Sequence, residues 1–231
     1  MKLSIIIPVF NEESTIDEII KRIENVPLSV DKEVIVVNDA STDNTPGILN
    51  KLKGHSALIL LEHEINQGKG AAIKSGLSEA TGDFVIIQDA DLEYSPLDYP
   101  ILLQPLLDNK ADVIYGSRNM IRNPRFSQIY FLGGKFLTCV FNLLYGTKLT
   151  DINTGYKVFK REIIEGLNLK EKRFAFCEEV TCKLVKKGYK IKEVPINYLP
   201  RGFKSGKKIR WWRDGWRGLR TIIRCRFKSS E

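Results

Sequence analysis

Val85-Ile86-Ile87-Gln88-Asp89-Ala90-Asp91-Leu92-Glu93 is an apolar run that ends in three acids spaced two apart. In an extended chain, residues i, i+2 and i+4 share one side. The spacing therefore predicts that the carboxylates of Asp89, Asp91 and Glu93 converge beyond the end of a buried strand. An oxygen-only set with no His or thiol nearby suits a hard cation, Mg²⁺ or Mn²⁺. The alternative is a solvated strand end at which Asp89 or Asp91 caps the next helix. A calcium loop of the EF-hand kind is excluded, because its sixth and twelfth positions, counted from Asp89, hold Tyr94 and Pro100 rather than Gly and Glu. A phosphatase Asp-x-Asp motif fits poorly as well, since it wants a small or β-branched residue where Glu93 stands.

Outward from this stretch, short aliphatic runs alternate with amphipathic ones. Leu3 to Phe10 reads as a buried strand, and Ser14 to Asn25 as a helix with Ile16, Ile19, Ile20 and Ile23 on one face. Glu33 to Asp39 reads as a second strand before a helix opened by Ser41-Thr42-Asp43. Ala57 to Leu61 reads as a third, before a helix from Asn66-Gln67-Gly68-Lys69-Gly70 to about Ala80. Asp83 to Gln88 is the fourth, and Ala111 to Arg118 the fifth, after a helix from Ser95-Pro96 to about Asp108. Alternation of this kind with near-continuous apolar strands predicts an α/β fold with a mostly parallel, doubly wound sheet. Ligands in such sheets sit beyond the carboxyl ends of the strands, where Pro8 to Glu12, Asn38-Asp39, Asn66 to Gly70 and Asp89 to Glu93 are all expected. Lys69 between two glycines either approaches an anion at a helix start or marks close packing there. The stretch is neither a Walker A motif nor a G-x-G-x-x-G fingerprint.

Size and charge narrow the class. A chain of 231 residues holds one full core, and its four cysteines form no Cys-x-x-Cys pair and have only His55 and His63 for company, which argues against zinc or a disulfide framework. The net charge of +8 is a property of the tail: from Pro200 onward there are 11 Lys/Arg against Asp214 and Glu231, leaving −1 for the rest. The first apolar run is broken by Asn11-Glu12-Glu13 and reads as a strand rather than a secretory leader. No stretch reaches about 18 uncharged apolar residues, so no span is expected. Asn123 to Tyr145 reads as an interfacial or a core helix, Asp151 to Phe159 as a returning strand, and Lys190 to Tyr198 as the last one. Glu178 and Glu179 open a helix to Lys187, as a base and its neighbour or as first-turn charges. In the tail, Trp211, Trp212 and Trp216 alternate with Arg213, Arg217 and Arg220, which suits an anionic membrane surface; no nucleic-acid module is recognisable.

Taken together and in order, Ile-Ile-Pro-Val-Phe-Asn-Glu-Glu, Val-Val-Asn-Asp-Ala-Ser-Thr-Asp, Asn-Gln-Gly-Lys-Gly, Gln-Asp-Ala-Asp-Leu-Glu, Tyr-Gly-Ser-Arg, Thr-Asp-Ile-Asn-Thr-Gly-Tyr-Lys and Pro-Arg with Gly-Lys-Lys-Ile resemble family 2 glycosyltransferases of the GT-A fold. Within these the resemblance is to the dolichyl-phosphate mannose synthase-like, or polyprenyl-phosphate glycosyltransferase, group. It implies that Pro8, Phe10, Glu12 and Asp39 hold the base and ribose of a nucleotide sugar, with Val37, Lys69 and Ala90 in the same site. It implies that Asp89, Asp91 and Glu93 bind the Mg²⁺ or Mn²⁺ and the diphosphate. Asp91, Arg118, Arg201 and Lys207 are then the catalytic set.

The implied reaction is inverting transfer from a GDP- or UDP-sugar, of mannose or glucose type, to a polyprenyl or dolichyl phosphate. The implied place is the cytosolic face of a membrane, with the protein peripheral and a separate anchoring subunit available. Residues 1–200 would form the catalytic domain, its nucleotide-sugar half ending near 118, and 201–231 a basic aromatic segment. Mannose synthases carry Gln where this chain has Glu93, which leaves the donor open. Processive synthases carry Gln-x-x-Arg-Trp, whereas Lys207 stands in the Gln position before Arg210-Trp211. Transfer to a hydroxyl of a cell-envelope glycan would instead demand a base. A sugar-phosphate nucleotidyltransferase would show a glycine- and arginine-rich first loop, and a non-catalytic nucleotide-binding protein would not need three acids.

Overall fold

The computed structural model describes residues 1–53, 58–173, 175–202 and 211–227. Lys207 therefore lies outside the described residues. The first half alternates as expected: β1 (Lys2–Val9), α1 (Ile16–Glu24), β2 (Asp31–Asn38), α2 (Thr45–Leu52), β3 (Leu58–Glu62), α3 (Lys69–Glu79), β4 (Phe84–Ile87), α4 (Tyr99–Leu107) and β5 (Val113–Ser117). The second half adds α5 (Gln128–Tyr145), β6 (Lys157–Lys160), α6 (Arg161–Glu165), α7 (Phe176–Lys186), β7 (Ile191–Pro195) and α8 (Trp211–Phe227). One seven-stranded sheet runs in the order β3-β2-β1-β4-β6-β5-β7. All pairs are parallel except those of β6, which is antiparallel to both β4 and β5.

The central strands are apolar on both faces because both faces are covered. Ile5 and Ile7 of β1 join Ile16, Ile19, Ile20 and Ile23 of α1 and Leu102, Leu103 and Leu106 of α4 in one core layer. Ile6, one residue out of phase, joins Ala72 and Ile73 of α3 and Val180 and Leu184 of α7 in the other. The returning strand is shorter than its sequence suggests. Residues 151 to 156 remain a loop because their polar groups serve neighbours: Thr154 Oγ1 donates to the Gly116 carbonyl at 2.6 Å, and Gly155 N–H donates to Tyr94 Oη at 2.8 Å.

A third, smaller cluster joins α5, α7 and α8 through Leu137, Phe141, Cys182 and Ile222. The two readings of the α5 stretch each describe one face of it. Leu137, Thr138 and Phe141 are buried, whereas Leu132, Phe136 and Leu143 stay exposed. In the same cluster the Glu178 carboxyl is buried against α8, where a Cβ added at Gly218 would lie 2.6 Å from Glu178 Oε1. Its Oε2 has no hydrogen-bond partner among the described residues. Burial pushes the Glu178 pKa up to about 7, with Glu171 and Asp214 adding to the rise and Lys157 opposing it.

A carboxyl raised in the folded state binds its proton more tightly there than in the unfolded chain. Stability is therefore lost as pH climbs from the ordinary carboxyl range to about 7. Thermal melting of wild type and Glu178→Gln across that window tests this. The variant should gain on wild type with rising pH, to on the order of 3 kcal/mol by about pH 8. Parallel melting curves at every pH would contradict the assignment.

Candidate active site

Three tight turns stand just beyond the ends of β1, β2 and β4. Each is closed by a non-glycine residue in the left-handed region: Asn11 (φ 52°), Ala40 (φ 57°) and Leu92 (φ 59°). Such conformations cost energy and persist where surrounding structure enforces them. At the first turn, Asn11 Oδ1 accepts from Thr42 N–H at 2.7 Å, which ties the β1 and β2 loops together. At the second, the Asp39 carboxylate accepts from the N–H groups of Gln67 (2.9 Å) and Gly68 (2.7 Å) and meets His63 Nδ1 at 2.7 Å. His63 Nε2 in turn meets Ser75 Oγ at 2.9 Å. The acid expected on the ribose therefore shapes the 66–68 loop.

The third turn corrects the expectation of three carboxylates on one side of a strand. The chain leaves β4 at Ile87 and curls at Leu92, and Glu93 N–H donates to Asp91 Oδ1 at 3.1 Å. The three carboxylates consequently point to different groups. Asp89 Oδ1 pairs with Lys69 Nζ at 2.5 Å, and Asp91 Oδ2 lies 3.4 Å from Arg201 Nη2. Glu93 faces the chain after β7: its Oε2 accepts from Tyr198 Oη at 2.5 Å and its Oε1 from Arg201 N–H at 2.7 Å. Among the described residues no cage of three such ligands forms.

Arg201 draws these parts together. Its guanidinium makes a two-pronged contact with Glu12, at 2.8 and 2.7 Å, while reaching Asp91. Residues from the turns after β1 and β4 and from the segment after β7 thus share one charge network. Burial pushes the Asp91 pKa up, Asp89 and Glu93 add to it, and Arg201 only partly offsets them, leaving it at about 7. Burial works against the charge on Lys69, yet Asp89 beside it raises its pKa above that of an ordinary lysine.

Lys69 answers both readings of its glycine-flanked position. A Cβ at Gly68 would lie 2.6 Å from the Lys172 carbonyl oxygen, and one at Gly70 would lie 2.4 Å from that of Glu171. The glycines admit the 171–172 backbone, and the lysine between them points its charge at Asp89. Gly70→Val should therefore lift this loop off α3; a shift of several degrees in melting temperature and a raised KM for the donor are expected, and unchanged values of both would refute the packing role.

Other expected residues are placed differently. Val37 is fully buried and Ala90 nearly so, each in a core layer, so only their main-chain atoms are available to a ligand. Pro8 and Phe10 remain half-buried at the end of β1. Arg118 is not a lone solvated cation: Nε and Nη2 donate to the buried Asp151 carboxylate at 2.7 and 2.8 Å, and its guanidinium carbon stands 5.0 Å from the Tyr198 ring centroid. Burial raises the Asp151 pKa, but Arg118 more than offsets this and holds it below the usual range. The two glutamates of α7 have different surroundings. Glu179 accepts from Lys170 and Glu171 N–H and pairs with Lys183, while Glu178 faces α8.

A family model, Glycosyl transferase family 2, matches residues 4–167, most of the chain and all three turns. The chain belongs to glycosyl transferase family 2. This family 2 enzyme is 30% identical over 217 residues to the UDP-N-acetylglucosamine–dolichyl-phosphate N-acetylglucosaminyltransferase of Methanococcus voltae, covering 83% of each protein. It is 29% identical over 203 residues to the dolichol-phosphate mannosyltransferase of Pyrococcus furiosus, covering 86% of this chain and 56% of that enzyme, so it spans little more than half of the latter. These relatives agree with the group that the sequence motifs resemble.

Among solved structures, glucosyl-3-phosphoglycerate synthase from Mycobacterium tuberculosis, in complex with Mn²⁺, UDP and phosphoglyceric acid, superposes with a TM-score of 0.76. That match covers 98% of this chain and 78% of that one at 19% identity, a likeness that establishes the GT-A fold. Several residues of the family 2 site escaped sequence reasoning. Gln88 accepts from both Tyr99 Oη (2.7 Å) and Tyr156 Oη (2.5 Å) and anchors the start of the acidic turn from below. Tyr94 and Tyr198, with ring centroids 5.1 Å apart, clamp its end. Gln88 and Tyr156 stand inside the quoted motifs and Tyr94 and Tyr198 near them, but nothing local gave them a role.

Proposed function

We propose that this enzyme transfers a hexose, with inversion, from a nucleoside diphosphate sugar to a polyprenyl or dolichyl phosphate at a membrane face. The observation that carries the reading is the meeting of Asp89 and Asp91 with Lys69 and Arg201 at the strand ends, two acids and two fixed cations around one spot. Asp89 and Asp91 are hard oxygen donors, and the crowding that raises Asp91 is relieved by a divalent cation. That donor set fits Mg²⁺ or Mn²⁺, which takes one or two carboxylates and completes its shell with water and substrate phosphates. When bound, such an ion supplies Lewis acidity to the departing diphosphate.

The chain's own groups do the rest. Lys69 and Arg201 add positive charge where negative charge builds on the leaving group, and Arg118 faces the acceptor phosphate from its Asp151 mount. Glu12 and Glu93 position Arg201, and Pro8, Phe10 and the Asp39-held loop border the base and ribose. A phosphate monoester is largely dianionic at neutral pH and needs no base to become a nucleophile. Glu179, held by the 170–171 main chain and Lys183, is not free to serve a hydroxyl acceptor, which would need a base.

Among the described residues no helix is long and apolar enough to cross a membrane. Exposed Leu132, Phe136 and Leu143 on α5 and Trp216, Ile223 and Phe227 on α8 instead support contact with a bilayer surface by this peripheral, cytosolic-face enzyme. Incubating the protein with labelled GDP- and UDP-sugars and polyprenyl phosphate, with and without EDTA, tests the reading. Label should enter the organic phase only when metal is present. No metal-dependent glycolipid from any donor would remove it.

A further inference from the structure

Outside the acidic turn, a cleft of ≈ 430 Å³ lies between residues 170–173, with Ala175, and α8. Six of its lining residues are cations: Lys170, Lys172, Arg173, Arg217, Arg220 and Arg224. The two acids there are already engaged, Glu171 with Arg224 and Asp214 with Arg213. Lys170, Lys172, Arg173 and Arg220 have no acidic partner among the described residues, so the cleft carries a real excess of positive charge. Thr221 adds a hydroxyl at its floor.

Arg220 and Arg224 also border a second groove with Trp216, Leu219 and Ile223. The cationic cleft therefore passes directly into an exposed apolar stripe, on which Trp216 is 71% and Phe227 77% exposed. A free anion has no use for that stripe. A phosphate with a hydrocarbon chain fits both parts, its charge among the Lys and Arg side chains and its chain along the indole and isoleucine.

We propose that the cleft between residues 170–173 and α8 is a discrete headgroup site for an anionic phospholipid of the membrane, separate from the donor and acceptor positions. The inference rests on the membrane reading above and makes it specific: attachment depends on one cleft rather than on the summed charge of the tail. The 171–172 backbone that forms one wall also packs on Gly68 and Gly70, so an occupied cleft braces the turn that carries Lys69.

Co-sedimentation of the full chain with phosphatidylcholine vesicles, with and without phosphatidylglycerol, reads this directly. Lys170→Gln/Lys172→Gln/Arg220→Gln should weaken binding to the anionic vesicles by on the order of 100-fold. Lys51→Gln/Lys53→Gln/Lys190→Gln, which removes the same charge from exposed sites elsewhere, should stay within about threefold of wild type. Lys170→Arg/Lys172→Arg/Arg220→Lys should restore binding, which guards against a folding defect in the first variant. Equal losses in the two glutamine triples, or none in either, would overturn the site while leaving membrane attachment intact. Wild type that ignores anionic vesicles yet is protected from heat by inorganic phosphate would overturn the lipid as occupant. Glycolipid synthesis in detergent, followed on the same proteins, reports separately on the transferase reading.

Discussion

Asp91→Asn should lower kcat by on the order of 10³ without lowering the melting temperature at neutral pH. The asparagine keeps the Oδ1 acceptor that receives Glu93 N–H, so the Leu92 turn survives, and Arg201 keeps its two-pronged contact with Glu12. What disappears is one of the two anionic donors available to a cation. The loss should therefore fall on turnover and on metal affinity, and titrating Mn²⁺ against activity would separate the two. Full turnover by this variant would end the account of the site given above.

Asp151→Ala has the largest expected effect on stability. It strands the Arg118 guanidinium beside Tyr198 with no counter-charge, and breaking a buried pair from one side costs about 3–5 kcal/mol. Urea denaturation measures it. Removing both charges in Arg118→Met/Asp151→Val should recover most of that stability, because no unpaired charge remains. The double variant should nevertheless stay inactive, since the cation proposed to face the acceptor is gone. Recovery of activity along with stability would show that Arg118 acts only as a structural partner.

Sequence reasoning succeeded where one local pattern decided the outcome. The isoleucines of α1 repeat at helical spacing, and the aliphatic runs of β1, β2 and β4 are long enough to exclude solvated alternatives. It failed where a distant partner decided. The period-two spacing of Asp89, Asp91 and Glu93 is real, but Leu92 turns the chain, and the residue that captures Glu93 is Tyr198, more than a hundred positions away. Asp39 reads as a crevice acid for the ribose, and nothing local shows that the 66–68 loop folds back on it. The two α7 glutamates could not be sorted from sequence, since their surroundings come from the 170–171 backbone and from Gly218. The basic tail was legible as charge, but its cleft needed the 170–173 segment opposite.

The reversed strand β6 also governs how the molecule can be made. It is the sole bridge between β4 and β5, yet it leaves the ribosome some forty residues after β5 does. Until then a nascent chain carrying the entire donor half has two raw sheet margins and no means of joining them. Division at residue 118 would leave that condition permanent, so the two halves are stages of one cooperative assembly rather than separable modules.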